Sequence, residues 1–259
     1  MNATADVKAT ADVPALLGGD RTESGRPLLT YYDDATGERV ELTAEALGSW
    51  AARTANLMRE GCGMGIGSRA AMLLPPHWQT AAVLLGAWST GVAVSFRLAA
   101  LAGLPSSGPD ADAPLDATFV SWKRLDDWLE DVPPADHRFV LGLAAAGAPM
   151  REVPDGYRDY IAEVRRYSDL PPSYLPERAE PATVDGTTFG SWEILAREVA
   201  GVQELRPGDR LLIDAAEHDH PLKWLLAPLS AGASVVLCAN LDRDRMNSRI
   251  EAEGITRVL

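Results

Sequence analysis

The chain has 259 residues, 46% of them hydrophobic, which suffices for one large α/β domain or two small lobes around a sizeable core. A formal net charge of −13 repels phosphate backbones and anionic lipid, so nucleic acid and membrane surfaces are excluded as expected partners. No stretch approaches the ~18 uninterrupted apolar residues of a membrane span, and no basic-then-apolar leader opens the chain.

Residues 1–26 are polar, rich in Gly, Ala and Asp, and read as a mobile tail with one turn near Pro14. Residues 28–33 and 39–42 flank the turn-forming Asp34-Ala35-Thr36-Gly37, a β-hairpin. Thr43 is a good N-cap, and Leu47, Trp50, Thr54 and Leu57 then share one helical face until Gly61 and Gly63. Residues 69–74 read as a buried strand, ended by Pro75-Pro76. Residues 77–90 are apolar nearly all round, which marks a helix buried on most sides; 92–96 is the next strand. The Pro/Gly/Ser/Asp-rich 103–114 is the best internal boundary.

Further on, 117–121 and 139–143 read as strands around a helix at 123–131, and 157–166 as a short helix. Residues 170–181 carry four prolines and are expected to be extended. Then come a helix at 191–202, a strand at 210–214, a helix at 221–231 and a strand at 234–238. An amphipathic helix at 242–253, with Met246 and Ile250 inward, and a strand at 255–259 complete the series.

One order of parts occurs twice. Gly48-Ser49-Trp50, Gly67-Ser68-Arg69 with an apolar run, an apolar helix and Gly91-Val92-Ala93-Val94 are matched by Gly190-Ser191-Trp192, Gly208-Asp209-Arg210, the helix at 221–231 and Gly232-Ala233-Ser234-Val235. Duplicated βαβ units of this kind build largely parallel sheets flanked by helices. The expected fold is therefore α/β with two related lobes. The divisions are a tail (1–26), a first repeat with the hairpin (27–104), a connecting segment (105–181) and a second repeat (182–259). Trp50 and Trp192 are expected as equivalent core anchors.

Cys62 and Cys238 form no Cys-x-x-Cys pair, which points to free thiols in a reducing cytoplasm and to neither a disulfide nor a zinc site. Only three lysines occur, Lys8, Lys123 and Lys223, among abundant arginine and alanine, the bias of a high-GC bacterial genome.

Thr43-Ala44-Glu45-Ala46-Leu47, Leu73-Leu74-Pro75-Pro76, Gly86-Ala87-Trp88-Ser89-Thr90-Gly91 and Leu205-Arg206-Pro207-Gly208-Asp209-Arg210 stand in the order and spacing of one family. Through them the chain resembles the N-terminal part of the adenylate-forming superfamily (acyl-CoA synthetases, luciferases, peptide-synthetase adenylation domains), and within it a group of short actinobacterial proteins. The resemblance implies an acyl-adenylating fold. It also implies a Ser/Thr/Gly phosphate loop ending in Pro-Lys, whose bare N–H groups and lysine surround the anion. Here the corresponding stretch is Thr183 to Gly190. Either Asp185, Gly186, Thr187 and Thr188 are an eroded remnant of that loop, or the loop is deleted and Thr188 begins the helix that follows it. Neither alignment offers the lysine, and Asp185 adds a negative charge. The family's adenine motif, ribose-binding Asp and C-terminal lid have no match in 1–259.

Glu217-His218-Asp219-His220 is the one dense run of polar ligands. By the resemblance it lies near the acyl pocket, so His218, Asp219 and His220 are candidate pocket residues, set against the reading of a solvated turn with capping histidines. No catalytic residue, cofactor or metal is assigned. The expectation is a non-catalytic homologue acting through a homodimer or a protein partner. The alternatives are a binding protein for a small acyl or carboxylate ligand, and one half of a split ligase.

Overall fold

The computed structural model describes residues 26–96, 114–125, 132–173 and 176–259. The tail at 1–26, apart from Arg26, the boundary at 103–114, apart from Pro114, and the second half of the helix expected at 123–131 lie outside the described residues.

Strands β1 (Leu29–Asp33) and β2 (Glu38–Leu42) form the hairpin. Thr43 Oγ1 accepts the Ala46 N–H at 3.1 Å and so caps α1 (Ala44–Asn56), which runs on through a π turn, Leu57–Gly61. Next come β3 (Arg69–Leu73), α2 (Trp78–Ser89) and β4 (Ala93–Phe96), followed by β5 (Leu115–Ser121), α3 (Trp122–Leu125), β6 (Ala135–Leu141), β7 (Arg158–Asp159) and α4 (Tyr160–Val164). The second repeat comprises α5 (Phe189–Val202), β8 (Arg210–Asp214), a π turn (Leu222–Leu226) leading into α6 (Ala227–Ala231), and β9 (Ser234–Ala239). Then α7 (Met246–Glu253) leads to β10 (Arg257–Val258).

Among the described residues two five-stranded sheets result, in the orders β4-β3-β5-β6-β7 and β10-β8-β9-β1-β2. Among these named strands every pairing is parallel except β1 with β2. Strand side chains alternate between faces, so Ala70 and Met72 of β3, and Leu211 and Ile213 of β8, join one core with α1, α2 and α5. Ala71, Leu73 and Val120, and separately Leu212, Val236 and Cys238, face the opposite sides of their sheets. Helix α2 is buried along its whole length, as its all-round apolar sequence predicts.

The duplication is visible in space. In each repeat a helix is followed by two adjacent parallel strands joined by a second helix, and a third parallel strand (β5 or β10) then lies on the other side of the first. Two expectations are corrected. The hairpin, placed with the first repeat by chain order, belongs to the second sheet, because β1 pairs along all five residues with β9. Trp50 and Trp192 are half-buried rather than central, Trp50 lying against the Trp78 ring and Trp192 against those of Trp88, Phe96 and His220.

Two contacts fix the layers. A Cβ at Gly86 would stand 2.6 Å from Thr54 Cβ and 2.8 Å from the Ala51 carbonyl, so glycine lets α1 and α2 approach closely. On α7 the buried side chain is Arg249, with Met246 and Ile250 only half-buried beside it. Its guanidinium pairs with Asp34 at 2.5 Å and lies 4.2 Å from the centre of the Tyr32 ring. Among the described residues no helix is long and apolar enough to cross a membrane.

Candidate functional site at the seam between the repeats

Residues 182–184 run beside β4, with Val94 N–H donating to Ala182 O (3.0 Å) and Val184 N–H to Val94 O (3.1 Å). The chain then turns back, Gly186 N–H reaching Thr183 O (3.0 Å) with Gly186 at φ +88°, a conformation that favours glycine. Inside this turn the Asp185 carboxylate accepts the Thr183 hydroxyl at 2.6 Å and the Thr187 N–H at 3.0 Å through Oδ1. These bonds, the hydroxyl's foremost, hold the Asp185 carboxyl below the usual carboxylate range. Thr188 Oγ1 accepts the Ser191 N–H at 3.2 Å and caps α5. Of the four residues singled out here, Asp185 and Thr187 thus bond to each other, Gly186 shapes the turn and Thr188 starts a helix.

Trp192 links this turn to the histidine run. Its Nε1 donates to Thr183 Oγ1 at 3.3 Å, and its ring stacks on His220 at 5.6 Å between centroids and 9° between planes. Phe96, the last residue of β4, lies 5.8 Å from the Trp192 ring and 5.4 Å from His220. Trp88 closes the cluster at 6.2 Å from Trp192, its Nε1 donating to Ala182 O at 3.1 Å. Trp88 is buried, whereas Phe96, Trp192 and His220 are half-buried.

The residues of the histidine run bond to different partners. His220 Nδ1 accepts the Leu222 N–H at 3.2 Å, which leaves the ring proton on Nε2. Burial pushes the His220 pKa down, against the opposing pull of Asp219, so the ring is neutral at pH 7. Asp219 contributes its backbone carbonyl, which accepts Trp224 Nε1 at 3.2 Å. His218 donates its N–H to Asp214 O at 3.1 Å, and Glu217 pairs with Arg243 at 2.6 Å. Among the described residues no group of three His, Cys, Asp or Glu side chains is placed to hold a metal. Cys238 is buried beside Arg249, and burial lifts its thiol pKa to about 11.

The seam stands at the carboxyl end of β4 and just past that of β8, where parallel sheets place their ligands. The opposite end carries a groove of about 1250 Å³ lined by Arg39, Arg210, Ser234, Glu253 and Thr256, among others. Within it Glu253 pairs with Arg210 at 2.5 Å and with Arg39 at 2.7 Å. Phe96 and Trp88 do not stand out in the sequence as candidate site residues, because aromatic side chains in apolar segments read as core. The available signal was Phe96 closing the strand of the first repeat, just where such sheets bind ligands.

No family model matches the chain. A curated relative, a TIGR03089 family protein of Mycobacterium tuberculosis, is 38% identical over 247 residues, 92% of this chain and 93% of the relative. Among solved structures, acetoacetyl-CoA synthetase from Streptomyces lividans superposes with a TM-score of 0.74 at 17% identity over 96% of this chain. Acyl-CoA synthetase from Brucella canis gives 0.68 at 19% identity over 98%, and the N-terminal domain of FACL13 from Mycobacterium tuberculosis 0.64 at 15% over 95%. The chain spans 42%, 47% and 62% of those three structures, in that order. At these identities the structural likeness is one of fold. The chain belongs to the TIGR03089 family, and its fold is that of the N-terminal part of acyl-CoA synthetases.

Proposed function

We propose that this protein is a non-catalytic relative of acyl-adenylating enzymes, acting in the cytoplasm by binding at the seam around Trp192 and His220. One observation carries the reading. In the turn at 183–187 the hydroxyl and N–H that would face a phosphate are bonded to the protein's own Asp185 carboxylate. A nucleotide phosphate there would meet a fixed negative charge, and no lysine lies between Lys123 and Lys223 to offset it. A cation on a transferring phosphoryl group contributes several kcal/mol, and each ~1.4 kcal/mol is tenfold in rate.

The purified protein is therefore expected to give no carboxylate-dependent pyrophosphate exchange with ATP. Robust exchange with any carboxylic acid would sink the non-catalytic reading. A thermal-shift screen with ATP, AMP, CoA and fatty acids tests the binding role, because a ligand of the native state raises apparent stability.

A further inference from the structure

We infer that the seam selects an organic cation, an ammonium group carried on an apolar body, over the carboxylates its fold would suggest; the inference rests on the binding role proposed above. The first observation is the set of rings. Phe96, Trp192 and His220 lie within 5.8 Å of one another between centroids and all keep part of their surface exposed. Ring faces carry partial negative charge and attract a cation within about 6 Å, Trp most strongly. The His220 ring is a neutral member of this set.

The second observation is the local charge. Trp192 Nε1 binds Thr183 Oγ1, and that hydroxyl donates to Asp185, so one exposed carboxylate stands two hydrogen bonds from the indole. Glu217 is taken up by Arg243. Of the remaining charges on the turn and the histidine run, Asp185 and Asp219 outnumber Lys223, the exposed lysine beside His220. A carboxylate ligand would meet two carboxylates against the single Lys223, whereas an ammonium meets rings and carboxylate together.

The test compares three probes of similar size, benzyltrimethylammonium, benzoate and benzyl alcohol, titrated into the whole protein and followed by calorimetry and tryptophan fluorescence. The ammonium is expected to bind at least tenfold more tightly than benzoate, with affinity falling as salt is added. Asp185→Asn keeps an acceptor for Thr183 and Thr187 but removes the charge. It is expected to cut ammonium affinity several-fold and leave benzyl alcohol unchanged. Trp192→Leu, with circular dichroism as the check on folding, is expected to remove binding of the ammonium.

Benzoate binding as tightly as the ammonium, or an unaltered ammonium affinity in Asp185→Asn, overturns the inference while leaving a binding role intact. Failure of all three probes to bind the wild-type protein overturns it as well. Pyrophosphate exchange on the same sample reports separately on the non-catalytic reading.

Discussion

His77 and His220 hold the same place in the two repeats. Each accepts through Nδ1 the backbone N–H two residues on, that of Gln79 at 3.1 Å and that of Leu222 at 3.2 Å, and each opens the helix between two parallel strands. They follow Trp50 and Trp192 by 27 and 28 residues (77 − 50 and 220 − 192). Their surroundings have diverged. His77 is 1% exposed, packed edge-on to Tyr31 at 4.3 Å, whereas His220 is half-buried between Trp192 and Phe96. Tyr31 of the hairpin packs on His77 and covers it, whereas His220 keeps part of its surface open at the seam.

Burial lowers the His77 pKa from 6.5 to about 3. Between those values the unfolded chain binds a proton that the folded protein refuses, so stability rises with pH there. Stability should accordingly be constant from this group above pH 6.5 and decline as pH falls from 6.5 toward 3. His220, also shifted down by burial, acts with the same sign. Glu253, held down to about 2 against the raising effect of burial by hydrogen bonds from Tyr32, Arg39 and Arg210, adds a loss with the same sign confined to the range below its ordinary 4.5. His77→Asn preserves a helix-capping side chain without the titrating ring. Urea unfolding at pH 7 and pH 5 should show a smaller difference in His77→Asn than in the wild type; an unchanged difference would contradict the assignment.

Arg249 and Asp34 form an ion pair whose side chains are 7% and 6% exposed. Removing one partner leaves the other buried and unpaired, which typically costs about 3–5 kcal/mol. Arg249→Met should lower stability by that order. Arg249→Met combined with Asp34→Asn should recover part of it, since the introduced amide oxygen can still accept the Asp242 N–H that Asp34 accepts at 2.7 Å. Chemical denaturation of the two variants checks the non-additivity. Equal losses in both would mean that the pair does not carry the contact.

The elements were legible in the sequence because glycines and prolines punctuate apolar runs of distinct length, and because the order of parts repeats. Sheet membership was not. The alternation in β1 shows that Leu29 and Tyr31 share a face, but pattern alone does not say which sheet that face joins. Arg249 was hidden for a related reason. A helical wheel assigns Met246 and Ile250 to the inner face, and only the position of Asp34 makes the arginine the better buried residue. At the seam, Asp185 and His220 stood out separately as a misplaced charge and a ligand-rich run. Their connection through Trp192 needed the third dimension, because the bond to Thr183 and the stack on His220 join segments that the sequence keeps apart.

Gly86→Ala tests the closeness of α1 and α2. The added Cβ would meet Thr54 Cβ at 2.6 Å and the Ala51 carbonyl at 2.8 Å, and neither is the end of a flexible chain. Alanine normally favours a helix over glycine by ~1 kcal/mol, so a gain is expected if the helices can part freely. Overpacking costs typically about 1–3 kcal/mol and should win here. A lower thermal midpoint in Gly86→Ala is the expected result, and a higher one would show that the contact is slack.

Association is expected through the second sheet's edge. Val258 in β10 is 47% exposed, and among the described residues β10 pairs only with β8. An edge strand with free N–H and C=O groups and an exposed valine favours pairing with another chain. The net charge of −13 opposes indiscriminate clumping, which leaves a defined homodimer or a docked partner as the expected species. Val258→Lys places a charge on that edge, and because the side chain is already half in solvent the fold should be kept. Sedimentation velocity over a concentration series is expected to show a dimer for the wild type and a shift toward monomer for Val258→Lys, with matching circular dichroism. A wild-type protein that stays monomeric at the highest concentration would remove β10 as an interface.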